Sequence, residues 1–266
     1  MDDPSETPTI KVLYCGDGEH VQGIVSKNTN YYLLGEFVDE SQFLIKALRD
    51  TDPPGRIEVT HLHNYQCPAD FPRRLKGRYG LANYDVVVIS DCPAESILFY
   101  PQLQMQQAPV GPNRLKLLRE WVDCGGGLLM IGGWSSFAGY AGGARYGKYP
   151  FLPLPVEVSL LDDRQEVVEG IKWDPESVVD HPVTRGLPWE KRPTFVGYND
   201  VKPKEGAQTL VKFANGDPLL VIGTHGRGRT MAFASDCAPH WAGSFTRWKG
   251  YSRFWVQAVE WLAGHA

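Results

Sequence analysis

Tyr84-Asp85-Val86-Val87-Val88-Ile89-Ser90-Asp91-Cys92-Pro93 is the stretch on which the fold turns. Four β-branched apolar residues in a row, entered from a polar residue and left through Ser-Asp-Cys-Pro, have the pattern of a short strand covered on both faces. Such strands belong to parallel sheets. Parallel strands need crossover connections, so helices must flank this segment. Upstream, Ile10 to Cys15 is an apolar run broken at Gly16-Asp17-Gly18, Ser41 to Arg49 sets Phe43, Leu44, Ala47 and Leu48 at helical spacing, and Ile57 to Leu62 alternates like a strand. Downstream, Arg114 to Cys124 carries Leu115, Leu118 and Val122 at helical spacing and stops at Gly125-Gly126-Gly127. Leu128 to Ile131 then runs into Gly132-Gly133-Trp134-Ser135-Ser136. This alternation predicts an α/β fold with a doubly wound, mostly parallel sheet, whose ligands sit beyond the carboxyl ends of the strands.

The pattern loosens over residues 139–200, which read as a loop-rich excursion with prolines 150, 153, 155, 182, 188 and 193. Regularity returns in Gln208 to Phe213, Pro218 to Thr224 and Thr230 to Ser235. The last two are joined through His225-Gly226-Arg227-Gly228-Arg229 as a hairpin, which predicts an antiparallel C-terminal extension of the sheet. Tyr251 to Leu262 is an amphipathic helix. No linker interrupts the chain, so residues 1–266 read as one domain with a flexible tail at 1–9.

Composition narrows the function. With 42% hydrophobic and 22% charged residues the chain can build a core, and a net charge of −4 argues against nucleic acid and anionic membrane as partners. The N-terminus lacks the basic and apolar regions of a signal peptide, and no apolar run approaches about 18 residues. Five scattered cysteines without a CxxC pair read as reduced thiols, which places the protein in the cytoplasm. The expected partner is a small polar ligand; homo-oligomer formation stays open, and no cofactor is named.

Three strand ends, at Cys15-Gly16-Asp17, Ser90-Asp91-Cys92 and Gly132-Gly133-Trp134-Ser135, should converge on one edge of the sheet. A fourth, Ser235-Asp236-Cys237-Ala238-Pro239-His240-Trp241, repeats the tripeptide Ser-Asp-Cys. Two carboxylates, two thiols and an imidazole brought together there would suffice for a metal or an acid–base pair, although an aspartate after a strand also serves as a turn or cap residue. Asp236 and His240 are therefore the candidate catalytic residues, and Asp17, Asp91, Gly133, Trp134 and Trp241 the candidate ligand contacts. Trp134, Trp241, Trp248 and Trp255 could form an aromatic platform for a sugar ring or fill a wide core. His20 follows the first glycine turn as a lesser candidate. His61 and His63 share one strand face, His181 and His225 read as turn residues, and no residue set is assigned to a metal.

Three segments together carry a family resemblance: Gly125-Gly126-Gly127-Leu128-Leu129-Met130-Ile131-Gly132-Gly133, His181-Pro182-Val183-Thr184-Arg185-Gly186-Leu187-Pro188, and Gly226 to Trp241. The chain resembles the glutamine amidotransferase-like family, related to class I glutamine amidotransferases and to ThuA-like proteins. The resemblance implies a flavodoxin-like sheet with a nucleophile elbow after Ile131, its backbone amides pointing at the site beside a helix N-terminus. Class I amidotransferases place a cysteine in that elbow and a histidine and glutamate after a late strand. This chain has Gly133, Trp134 and Ser135 in the elbow, and only Asp236 and His240 after the late strand. Glutamine hydrolysis by the family mechanism is therefore not expected. What the resemblance leaves is a fold that binds a small polar metabolite such as a sugar or sugar acid. The alternatives are a divergent hydrolase or isomerase using Asp236 and His240 with Ser135 as nucleophile or with a metal, and an oligomerisation or interaction module.

Overall fold

The computed structural model describes residues 9–27, 30–51, 53–100 and 111–265, with residues 19–37 described by their backbone alone. In chain order the elements are β1 (Ile10–Gly16), β2 (Gly18–Lys27), β3 (Asn30–Asp39), α1 (Gln42–Arg49), β4 (Ile57–Leu62), α2 (Cys67–Asp70) and β5 (Val86–Ser90). There follow α3 (Ala94–Leu98), α4 (Arg114–Asp123), β6 (Gly127–Ile131), β7 (Val156–Glu157), β8 (Arg164–Ile171), β9 (Phe195–Asn199) and β10 (Lys202–Pro203). The chain ends with β11 (Gln208–Lys212), β12 (Pro218–His225), β13 (Gly228–Phe233), α5 (Pro239–Ala242) and α6 (Tyr251–Leu262).

One seven-stranded sheet, in the order β4-β1-β5-β6-β13-β12-β11, organises the molecule. Its first five strands are mutually parallel and β12 pairs antiparallel with both of its neighbours, so the fold is the mostly parallel α/β sheet with an antiparallel C-terminal extension. The parallel strands follow the flavodoxin-like order, which reverses direction between β1 and β5.

Alternation along each strand divides the core in two. Val12, Tyr14, Val86, Val88, Leu129, Ile131, Met231 and Phe233 face α1 and α6, packing with Leu44, Leu48, Trp255 and Val259. Leu13, Cys15, Val87, Ile89, Leu128, Met130 and Ala232 face the opposite layer, with Leu115, Leu118 and Val122 of α4. A large apolar side chain fully buried in this way contributes roughly 1.5–3 kcal/mol, so the two layers together hold the strand ends in fixed relation. Trp248 and Trp255 belong to this packing: they are 7% and 0% exposed and join an aromatic cluster around Phe245, so they form no ligand platform.

Three departures from the sequence reading matter for function. After β1 the chain bends at Asp17 and continues into an antiparallel ribbon of β2 and β3, where the glycine turn suggested a strand end alone. The excursion at 139–200 carries its own pairings, β8 with β9 and β7 with β10. Finally, no α-helix follows directly on Ile131, only short 3₁₀ turns at Tyr140–Gly142 and Tyr146–Lys148: Phe137, Gly139 and Ala141 take positive φ angles of 50°, 69° and 50°, and such left-handed steps interrupt a right-handed helix. The elbow itself therefore starts no α-helix.

Candidate functional site

Register brings the strand ends level. Gly16 pairs with Ser90, Ser90 with Ile131, and Ile131 with Phe233, so the residues that follow each strand emerge along one edge. Asp17, Asp91, the Gly132-Gly133 turn and Ser235-Asp236 come from four different strands, beside the point where the strand order reverses. In open α/β sheets that is where a crevice opens.

Asp91, Asp236 and His240 stand at the centre. Each offers one ligand atom, and the three atoms lie within 4.8 Å of one another. Asp91 has a positive φ of 40° and is 7% exposed; its Oδ1 accepts the N–H of Ser135 at 2.6 Å, and its own N–H donates to Ser136 Oγ at 3.0 Å. Gly133 permits this approach, because a Cβ there would fall 2.3 Å from Asp91 Oδ1. Asp236 is fully buried and divides its two oxygens between two tasks. Oδ1 accepts the N–H of Ala238 at 2.8 Å, the turn role expected of an aspartate after a strand. Oδ2 has no hydrogen-bond donor among the described residues and lies 3.5 Å from His240 Nδ1. Burial alone would lower the pKa of His240, but the Asp236 carboxylate outweighs it and the net shift is upward.

Asp17 forms a second, deeper layer. Its carboxylate is 4% exposed and accepts hydrogen bonds from Tyr14 Oη, from Ser90 Oγ at 3.1 Å and from Cys237 Sγ at 3.6 Å. Burial and the nearby charge of Asp236 push its pKa up to about 7, against the opposing pull of those three donors. The repeated Ser-Asp-Cys thus has unequal parts. Ser90 supports Asp17, whereas Ser235 Oγ donates to the carbonyl of Gly197 at 2.7 Å. Cys92 packs 3.9 Å from Cys67, whereas Cys237 touches Asp17. Burial raises the pKa of Cys237 well above that of a free thiol, so it is no thiolate nucleophile at neutral pH.

The elbow serves the aspartates rather than an oxyanion. The Gly133 N–H donates to Asn199 Oδ1 at 3.0 Å and the Ser135 N–H to Asp91, so both amides are already engaged. The Ser135 hydroxyl makes no hydrogen bond to His240 among the described residues, so the Ser135, His240 and Asp236 triad is not assembled; only its His–Asp half is. Trp134, 41% exposed, meets the His240 ring edge-on at 5.5 Å, and the Arg164 guanidinium lies 4.4 Å above it. Trp241 departs from expectation: it is 1% exposed, packs against Gly197 and donates from Nε1 to Glu166 at 3.1 Å, so it supports His240 from below instead of walling a ligand.

Sequence reasoning missed the groups that return from the excursion. Asn199, fully buried, accepts from and donates to the Gly133 backbone and donates to Asp163 Oδ1 at 2.9 Å, while Asp163 accepts the N–H groups of Ala138 and Gly139. Only the contrast of polar Asn199 with the apolar Phe195 and Val196 before it hinted at a special position. The remaining histidines stand apart. His61 bonds the Gly16 carbonyl at 2.8 Å, His63 lies 3.4 Å from Asp39, His181 accepts the Val183 N–H and His225 pairs with Asp123 at 3.0 Å. His20 lies on β2, with its side chain outside the described residues. A cleft of about 440 Å³, lined by Leu152, Leu154, Lys204, Gly223 and Thr230, sits away from the four strand ends. Burial lowers the pKa of its Lys204.

Comparison with known proteins agrees with this frame. The cytoplasmic protein STM3548 from Salmonella typhimurium superposes with a TM-score of 0.85 at 33% identity, over 95% of this chain and 99% of that one. The cytoplasmic protein STM1381 from Salmonella typhimurium LT2 gives 0.85 at 34% identity over the same shares. The cytoplasmic location expected from the sequence agrees with the description of both, and no helix among the described residues is long and apolar enough to cross a membrane. A ThuA-like protein from Parabacteroides merdae shares the fold alone, with a TM-score of 0.53 at 14% identity over 97% of this chain and 90% of that one. Among curated proteins no sequence match is found. The profile of one family spans residues 11–264, and with it the sheet, the altered elbow and the Asp–His pair find their place: the chain belongs to the family described as "Putative glutamine amidotransferase".

Proposed function

We propose that this protein binds a small, hydroxyl-rich polar molecule, a sugar or related polyol, at the carboxyl edge of its sheet, without the covalent glutaminase chemistry for which the family is named. The observation that carries this reading is the convergence of Asp91, Asp236 and His240 beneath half-exposed Trp134. Carboxylates accept hydrogen bonds and suit ligand hydroxyls, while two of them side by side disfavour a free sugar acid. The elbow holds no thiol, and its Gly133 and Ser135 amides are committed to Asn199 and Asp91, which removes the nucleophile and two of the donors that acyl transfer could use.

A second reading, proton transfer on the bound molecule as in an isomerase, rests on the His240–Asp236 pair, since a carboxylate beside an imidazole orients it and supports its protonated form. A thermal-shift and NMR screen of sugars, polyols and their acids, run in EDTA and again with Mn²⁺, tests the binding proposal. Hydroxylated compounds should stabilise the protein but not Asp91→Asn or Trp134→Ala. Absence of binding by every hydroxylated class under both conditions would overturn it.

A further inference from the structure

One buried carboxylate oxygen at the centre of the site has no hydrogen-bond donor among the described residues. Asp236 Oδ2 is buried, accepts no hydrogen bond among the described residues and faces His240. A buried carboxylate oxygen without a donor is costly, and native structures meet that cost with a partner. Asp236 Oδ2 lies 3.5 Å from the imidazole Nδ1 of His240, and one ligand atom each of Asp91, Asp236 and His240 lie within 4.8 Å of one another. We propose that Asp91, Asp236 and His240 bind one divalent transition-metal cation, with coordination positions left open toward the ligand; the inference rests on the reading of this edge as the ligand site.

The spacing fits such an ion. Bonds of about 2.1 Å to carboxylate oxygen and imidazole nitrogen hold their ligand atoms about 3.4 Å apart at a tetrahedral angle, close to the Asp236–His240 separation. The third atom, from Asp91, stands within 4.8 Å of the other two and would have to draw in to join them. Two carboxylates with one imidazole select Zn²⁺, Mn²⁺ or Fe²⁺ over the thiophilic metals, and three protein ligands are the number found where a metal keeps an open position for water or substrate. Each carboxylate is also oriented from behind: Asp91 by the Ser135 N–H and Asp236 by the Ala238 N–H. Held in this way by outer partners, ligands stay aimed at a metal. The ion would neutralise charge among Asp17, Asp91 and Asp236, and vicinal hydroxyls of a polyol could complete its coordination.

The test uses the metal alone. Full-length protein stripped with a chelator and dialysed free of it is titrated calorimetrically with MnCl₂ and with ZnCl₂, and bound Mn²⁺ is counted by electron paramagnetic resonance. One saturable site per chain is expected, weakened at least tenfold by His240→Ala and by Asp236→Asn. His240→Ala changes a part-exposed side chain and keeps the test valid if Asp236→Asn fails to fold. His225→Ala, which breaks the separate pair with Asp123, should leave the affinity unchanged. No saturable binding of either ion, binding undiminished in both site variants, or binding lost with His225→Ala would each overturn the proposal. Because no organic ligand enters this titration, its failure leaves the polyol reading standing, and an empty polyol screen leaves the metal site standing.

Discussion

Asp17→Asn should stabilise this protein, and should do so more at pH 8 than at pH 5. The folded carboxyl has its pKa raised from 3.8 to about 7, chiefly by burial and then by the charge of Asp236. A carboxyl with a raised pKa binds protons more tightly in the folded state, so stability falls as pH rises between the two values and stays lower above the folded one. A proton affinity raised about a thousandfold corresponds to about 4 kcal/mol of lost stability above pH 7, and to about 2 kcal/mol at pH 5. Asparagine removes this penalty. It keeps one oxygen for Ser90 and Tyr14 but puts an amide NH₂ where the neutral carboxyl had a second oxygen, at a cost of about 1–2 kcal/mol that does not depend on pH. The variant should therefore be nearly neutral at pH 5 and about 2–3 kcal/mol more stable at pH 8, a gap of roughly 5–10 °C in Tm for a chain of this size. Urea and thermal melts of both proteins in EDTA at the two pH values measure it. If the stability difference between parent and variant is the same at pH 5 and pH 8, Asp17 ionises normally and the account of its burial is wrong.

Ammonia release from glutamine should stay at the level of buffer, and Cys237→Ser should not change it; turnover abolished by that substitution would mean the buried thiol is a nucleophile after all. Changing the fully buried Val87 to alanine should cost about 2 kcal/mol or more, whereas His240→Ala, at a part-exposed position, should cost about half that or less in a urea melt. Equal losses would make His240 a structural residue. Asn199→Ala leaves the Gly133 N–H without its acceptor and should cost about 2–4 kcal/mol, which a melt reads directly; a loss below about 1 kcal/mol would show that the elbow does not depend on the clamp.

Sequence by itself determined the central strands and their partner helices, because the four-residue apolar run at Val86 to Ile89 and the helical spacing in Arg114 to Cys124 are local patterns with one good burial solution each. It determined the His225 to Arg229 hairpin for the same reason, and the loss of the elbow cysteine can be read directly from Gly133-Trp134-Ser135. That Asp91 and Asp236 emerge at the same edge, from strands on either side of β6, followed from the parallel sheet. Tertiary structure alone decided what each does there. The division of Asp236 between a turn and the site, the burial that moves Asp17 to about 7, and the withdrawal of Trp241 into the core all depend on which atoms lie nearby and how much water is excluded. The clamp of Asn199 and Asp163 on the elbow joins residues 66 and 25 positions apart from their partners, through polar side chains that carry no periodic signal. The helix expected after Ile131 fails for a related reason: Phe137 and Ala141 adopt positive φ against their intrinsic preference, held there by contacts that a local pattern does not encode.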